Sequence, residues 1–142
     1  MFFADREQHV QTEILPALKR GEIVICERYN WSSLAYGQAE GVDKNFLEQL
    51  AESFLEPDYT LFMNIPAEKS LKRVISRGEK IEHFENTSIL TKVREVMIDL
   101  AEGCKFTKRT TVLDATETPE KIFARIEMVL TPLLFLENFS AE

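Results

Sequence analysis

The chain has 142 residues, 44% of them hydrophobic and 29% charged. That balance suits a single globular domain, able to bury roughly 68–70% of its unfolded surface, and argues against disorder. Seventeen Lys and Arg face twenty-four Asp and Glu, a net charge of −7. This excludes a general duplex binder, which works by neutralising phosphates, but leaves room for a local basic pocket.

Cys26 and Cys104 lie far apart, and no CxxC pair or Cys/His cluster has zinc spacing. They read as free thiols of a reducing compartment. The opening MFFADREQHV turns charged at once, unlike a signal peptide. No apolar run approaches the roughly 18 residues of a membrane span. The expectation is a cytoplasmic protein that works on neither membrane nor nucleic acid.

In chain order, residues 2–20 read as a helix, because Phe2, Phe3, Val10, Ile14, Leu15 and Leu18 fall near a 3.6-residue period. Pro16 removes one backbone bond near its end. Lys19 and Arg20 suit a helix C-terminus, and Gly21 ends it. EIVIC (22–26) is a short apolar run, expected to be a strand buried on both faces. Helices follow over 30–39 and over 43–55, the latter capped by Asp43. Pro57-Asp58 makes a turn. YTLFMNI (59–65) is the second expected strand, and 67–77 is a helix entered from Pro66. Residues 78–87 form a charged loop, and 88–102 a helix capped by Ser88 or Thr87. TTVLDA (110–115) is the third expected strand. Thr118 caps a helix over 119–130 that starts at Pro119.

Strands alternating with helices imply right-handed crossovers and a parallel sheet, with ligands at the carboxyl ends of the strands. The expected class is α/β. Three strands make a thin core for so many helices, which points to a further N-terminal part or one supplied in trans.

The carboxyl end of the first expected strand carries Glu27, Arg28 and Tyr29. Arginine offers a planar fork for phosphate, and a glutamate can hold magnesium through water. A surface ion pair is the alternative reading. Phe2 and Arg6 are four apart and share a helical face. Together they can stack on and hydrogen-bond a planar base, or be a core phenylalanine beside a solvated arginine. The loop 76–86, with Arg77, Lys80, Glu82, His83 and Glu85, either closes over phosphates or is simply solvated. Glu82 and Glu85 could also form a glycosidase pair, but nothing implies a sugar groove.

Taken in order, these blocks resemble the thymidylate kinase family over residues 1 to about 130. FFADREQH (2–9), ILPALKRGEIVICERY (14–29) and SSLAYGQ (32–38) come first. LEPDYTLFMNIPAEKSLKRVISRGE (55–79), EHFEN (82–86), KVREVMIDLA (92–101) and VLDATETPEKI (112–122) follow. The resemblance implies a three-layer P-loop nucleoside monophosphate kinase fold. It also implies transfer of the γ-phosphoryl of ATP to dTMP with Mg²⁺, and a homodimer.

By the same resemblance, Phe2 stacks on thymine and Arg6 bonds the pyrimidine edge. Arg28 binds the dTMP phosphate. Glu27 stands for the usual Asp of that motif and is the candidate metal ligand. Ser33, Tyr36 and Gln38 face base and sugar. Arg73 and Arg77 precede a lid over about 78–86, with Arg77 catalytic. Asp114 and Ala115 lie near adenine. Residues 131–142 form an apolar tail.

No GxxxxGK[ST] phosphate loop occurs among the five glycines, Gly21, Gly37, Gly41, Gly78 and Gly103. In the family's fold that loop follows a strand lying between those matching 22–26 and 59–65. Without such a strand both neighbours lose a backbone partner. The chain alone is therefore expected to be unstable, rearranged or oligomeric. A dTMP-binding or partner-binding remnant without catalysis is the alternative function.

Overall fold

The computed structural model describes residues 2–78 and 86–136, with residues 2–4 and 136 as backbone only. The chain opens with helix α1 (Phe2–His9), a π-helical turn over Val10–Ile14 and helix α2 (Leu15–Lys19). The expected single helix is thus continuous but widened in the middle. Pro16 explains the position. It has no N–H to give, and its ring crowds the carbonyl one turn back. The wider π turn relieves that crowding, with the Leu15 N–H donating to the Val10 carbonyl five residues earlier. Val10 and Ile14 are buried along this segment. Gly21, at φ +78°, then ends α2.

The expectation of a strand over 22–26 is not met. These residues join no ladder, and Ile23 and Ile25 are 70% and 90% exposed. An apolar run becomes a strand only when a neighbour takes its backbone groups. Among the described residues the sheet has just two strands, β1 (Thr60–Asn64) and β2 (Thr110–Asp114). They are parallel and in register from Thr60↔Thr110 to Asn64↔Asp114. Each therefore keeps one unpaired edge.

Helices α3 (Asn30–Ala39), α4 (Lys44–Ala51), α5 (Ala67–Ser76), α6 (Thr87–Glu102) and α7 (Pro119–Leu136) complete the fold. Asp43 caps α4 as expected, accepting from the Phe46 N–H at 2.9 Å. The cap of α6 is Asn86, one residue before the expected Thr87, and it accepts from the Ile89 N–H at 2.9 Å. Helix α7 runs on to Leu136, through Pro132, so the expected tail is helical in its first half. Residues 137–142 lie outside the described residues.

Two apolar clusters hold these pieces. Trp31 and Leu34 of α3, Leu47 and Ala51 of α4, and Leu100 and Ala101 of α6 enclose Phe62 of β1. The Trp31 indole N–H is not stranded there, since it donates to the Lys105 carbonyl at 2.8 Å. A smaller cluster joins Leu113 and Ala115 to Ile122 of α7. Each strand is covered unevenly. Phe62 is buried while its register partner Val112 is 47% exposed, and Leu113 is buried while its partner Met63 is 42% exposed. A parallel sheet is normally covered on both faces, so apolar strand surface is left open here.

Candidate functional site

The site starts from α1 and the turn after residue 26. Helix α1 carries Arg6, and the start of α3 carries Ser33. The Arg6 Nη1 donates to the Ser33 Oγ at 2.6 Å. The same guanidinium lies 5.4 Å from the centroid of the Tyr29 ring. That ring meets Phe54 edge-on, at 6.4 Å and 72°. Arg6 is therefore fixed by a hydroxyl and by an aromatic face at once.

Arg28 adopts φ +60°, a left-handed conformation that disfavours a side chain. Its guanidinium lies 5.0 Å from the Tyr36 ring centroid, and its Nε donates weakly to the Ser32 Oγ at 3.4 Å. Strained backbone of this kind tends to collect at functional positions. Neither arginine forms a carboxylate salt bridge among the described residues.

Arg6, Arg28 and Tyr29 border an open cleft of about 560 Å³, whose wall also carries Asp5, Glu13 and Glu27, while Ser33 and Tyr36 stand behind the two guanidinium groups. Burial lowers the pKa of Arg6, opposed by the nearby Tyr29, Cys26 and Asp5. Burial likewise raises the Tyr29 phenol, opposed by Arg6. The Tyr29 hydroxyl is buried and has no hydrogen-bond partner among the described residues. Arg6 and Arg28 share this cleft with the carboxylates of Asp5, Glu13 and Glu27, yet among the described residues neither closes a salt bridge, so both guanidinium groups keep N–H donors for a ligand.

The structure thus brings together Arg6, Arg28, Ser33 and Tyr36, with Glu27 exposed on the cleft wall. It does not bring in Gln38, which lines a separate small crevice with Lys44, Glu48 and Lys105. Helix α3 turns Gln38 away from the face that carries Ser33 and Tyr36. Arg73 and Arg77 are exposed at the C-terminal end of α5. Asp114 ends β2, exposed, and accepts from the Thr116 N–H at 2.9 Å; Ala115 behind it is buried. Hydrogen bonds from Thr116 hold the Asp114 carboxyl below its usual pKa, with Lys69 and Arg125 adding to the effect. The Phe2 side chain and lid residues 79–85, including Lys80, Glu82, His83 and Glu85, lie outside the described residues.

Sequence reading gave Tyr29 no role, yet its ring is the platform for Arg6. No periodicity connects positions 6 and 29, because only the fold of the intervening segment brings them together.

Among the described residues no three His, Cys, Asp or Glu side chains gather as a metal cage. Magnesium does not need one. It usually takes one or two carboxylates and completes its octahedron with water and substrate phosphate. The exposed Glu27 carboxylate, beside Arg28 on the cleft wall, fits that mode.

A parallel α/β domain with two arginines in one open cleft is the class that the fold and the site define. The comparison with known families is more particular. The family model for thymidylate kinase matches residues 1–126. The chain belongs to the thymidylate kinase family. A probable thymidylate kinase of Pyrococcus horikoshii is 42% identical over 102 residues, covering 72% of this chain and 50% of that protein. One from Archaeoglobus fulgidus is 33% identical over 141 residues, covering 99% of this chain and 69% of the relative. A thymidylate kinase of Synechococcus is 40% identical over 106 residues, covering 72% of this chain and 51% of the relative. In the matches of highest identity the chain spans about half the length of the curated relatives.

Proposed function

We propose that the chain supplies the acceptor side of a thymidylate kinase, which transfers the γ-phosphoryl group of ATP to dTMP and yields dTDP and ADP. The observation that carries this reading is the pair of arginines in one cleft that close no salt bridge among the described residues, Arg6 bonded to Ser33 and Arg28 set over Tyr36. Arg28 binds the dTMP phosphate, and Arg6, with Phe2, holds the pyrimidine. Ser33 and Tyr36 fix the two guanidinium groups, so little ordering is left for the ligand to impose. An oxygen of the dTMP phosphate attacks the γ-phosphorus of ATP, and the bond to the β-phosphate oxygen breaks as ADP leaves. Such transfer needs alignment and charge stabilisation more than covalent help.

Mg²⁺, held at Glu27, supplies charge neutralisation to the phosphates when bound. Arg77 and the lid close on the donor, Arg73 supports them, and Asp114 and Ala115 border the adenine. Residues 22–26 and the free edge of β1 join through a strand from an N-terminal segment or from the second subunit of a homodimer, restoring a three-layer sheet. Residues 1–130 act as one kinase-like unit, followed by the apolar stretch 131–142. The free, exposed Cys26 and Cys104 are at home in a reducing cytoplasm. No helix among the described residues is long and apolar enough to cross a membrane.

The experiment is ADP release by the purified chain with ATP and Mg²⁺, with and without dTMP, alongside direct titration of dTMP. dTMP-dependent ADP release is expected once the phosphate-loop strand is present, and dTMP binding is expected without it. A chain that binds no dTMP would overturn the reading.

A further inference from the structure

A second arginine site lies away from the cleft. Arg94, in the middle of α6, is half-buried, and its Nε donates to the Asn64 Oδ1 at 2.7 Å. Asn64 is the last residue of β1, and its register partner Asp114 is the last residue of β2. Arg94 is therefore held at the carboxyl ends of both paired strands, the place where parallel α/β sheets bind ligands. None of Asn64, Arg94 and Asp114 lines the Arg6–Arg28 cleft.

The partner is informative because it is neutral. A partly desolvated guanidinium kept for stability is ordinarily matched by a carboxylate, which returns some of its lost hydration. Asn64 orients Arg94 without cancelling its charge. Among the described residues no carboxylate forms a salt bridge with it, and the charges acting on the nearby Asp114 are Lys69 and Arg125. A guanidinium has five N–H donors, and the contact with Asn64 uses one. The rest of the planar fork remains for an anion.

We infer that Arg94 is a phosphate-binding residue positioned by Asn64, and that its ligand is the polyphosphate chain of a nucleoside di- or triphosphate. The identity of that ligand rests on the proposed kinase reading. The geometry suits it, since the acceptor phosphate goes to Arg28 and the carboxyl ends of β1 and β2 form a separate place for the donor. Asn64 is a positioning residue here, because it acts through Arg94.

The test titrates inorganic tripolyphosphate into the full chain by calorimetry, with dTMP titrated in parallel. Arg94→Gln is expected to weaken tripolyphosphate about ten- to hundredfold, the effect of losing a charge-assisted fork, and to leave dTMP unchanged. Arg94→Lys restores part of the affinity, since it returns the charge but not the planar fork. Asn64→Asp, which keeps a partner for Nε but neutralises the charge, weakens tripolyphosphate several-fold. Equal tripolyphosphate affinity in the wild type and Arg94→Gln would overturn the inference, as would loss of that affinity in Arg28→Ala instead, which places the anion in the cleft. Asn64→Asp binding as well as the wild type would overturn the part given to Asn64. Failure of dTMP to bind, with the Arg94 series behaving as stated, counts against the kinase reading alone.

Discussion

Replacing Arg28 by alanine and by glycine separates its backbone cost from its binding role. At φ +60° a residue with a Cβ carries a penalty of about 1–2 kcal/mol that glycine escapes. Glycine in turn loses about 0.5–1 kcal/mol more conformational freedom on folding than alanine. The balance makes Arg28→Gly more stable than Arg28→Ala by about 1 kcal/mol, or roughly 3 °C in Tm for a chain of this length. The side chain itself contributes little to folding. It is exposed, its contact with Tyr36 at 5.0 Å is a solvated cation–π pair worth about 0.5–1 kcal/mol, and its bond to Ser32 at 3.4 Å is long. Arg28→Gly should therefore unfold near the wild-type temperature and Arg28→Ala a few degrees lower. Both should lose dTMP affinity alike, by about 1.5–3 kcal/mol, which is roughly 10- to 150-fold. Differential scanning fluorimetry and dTMP titration on the three proteins read the two effects separately. An alanine variant as stable as the glycine variant would refute the strain argument. Unchanged dTMP affinity in both would remove the phosphate site from Arg28.

Tyr29→Phe removes a buried hydroxyl that has no partner, so a gain of up to about 1 kcal/mol in denaturant unfolding is expected; a loss would show a hidden hydrogen bond. Because burial raises the Tyr29 phenol above its ordinary pKa, the unfolded chain releases this proton first as pH rises. The Tyr29 contribution is whole below pH about 10, the ordinary phenol value, and is lost above it. The phenylalanine variant should show a shallower loss of stability between about pH 9 and 11, and identical slopes would contradict the assignment. In Gly37→Ala the new Cβ would lie 2.9 Å from Cδ1 and 3.1 Å from Cδ2 of Leu47, which is buried and cannot swing away freely. A cost of about 1–3 kcal/mol is expected, relieved in part by Leu47→Val; a neutral Gly37→Ala would show that α3 and α4 can separate. The exposed Ile23 and Ile25 and the unpaired strand edges predict concentration-dependent association, or a broad transition of low enthalpy, for the isolated chain. A monomer by sedimentation that unfolds cooperatively with about 0.7 kcal/mol per residue near 60 °C is the opposing result.

Most helices were legible because their signals are local. Asp43 caps α4 through a bond three residues along its own chain, and Pro66 and Pro119 stand where helices begin. Strands 60–64 and 110–114 were legible as apolar runs that do find each other. EIVIC at 22–26 has the same composition and is no strand, since strand character depends on a neighbour that a single segment cannot encode. The cap of α6 is Asn86 and not the expected Ser88 or Thr87, because all three are capping types and only geometry chooses among them. Arg28 and Glu27, singled out by their place after an apolar run, and Arg6, singled out by its helical face, do line one cleft. The Arg6–Tyr29 and Arg94–Asn64 contacts were not legible, because each joins residues that only tertiary structure brings together. Gln38 shows the converse, since closeness in sequence to Ser33 and Tyr36, which touch Arg6 and Arg28, leaves it on a separate crevice.

Several of the fold's uncompensated costs fall on a few residues. Elsewhere polar groups are satisfied in chains, as where the Thr60 hydroxyl bonds that of Thr107 at 2.9 Å and Tyr59 meets Thr111 at 2.7 Å. Around the cleft Arg28 is strained, Arg6 is desolvated and the Tyr29 hydroxyl is unbonded. At the strand ends Arg94 is matched only by an amide. The other unbonded buried oxygen, Oε2 of Glu117, sits just past the end of β2, and its twin oxygen accepts from Arg125 at 3.1 Å. A sequence shaped for stability alone would carry phenylalanine at 29, which removes the unbonded hydroxyl, and a carboxylate at 64, which pairs the guanidinium. On the proposed reading the ligand carries the missing partner of each arginine; Cys104 and Phe106 share the left-handed backbone without lining the cleft, so the unmatched guanidinium groups carry the argument and the strain does not. The two places lie at successive carboxyl-side turns, one after residue 26 and one after β1. On the proposed reading one cation fixes the acceptor phosphate and the other draws charge off the donor, the two tasks that an in-line transfer sets.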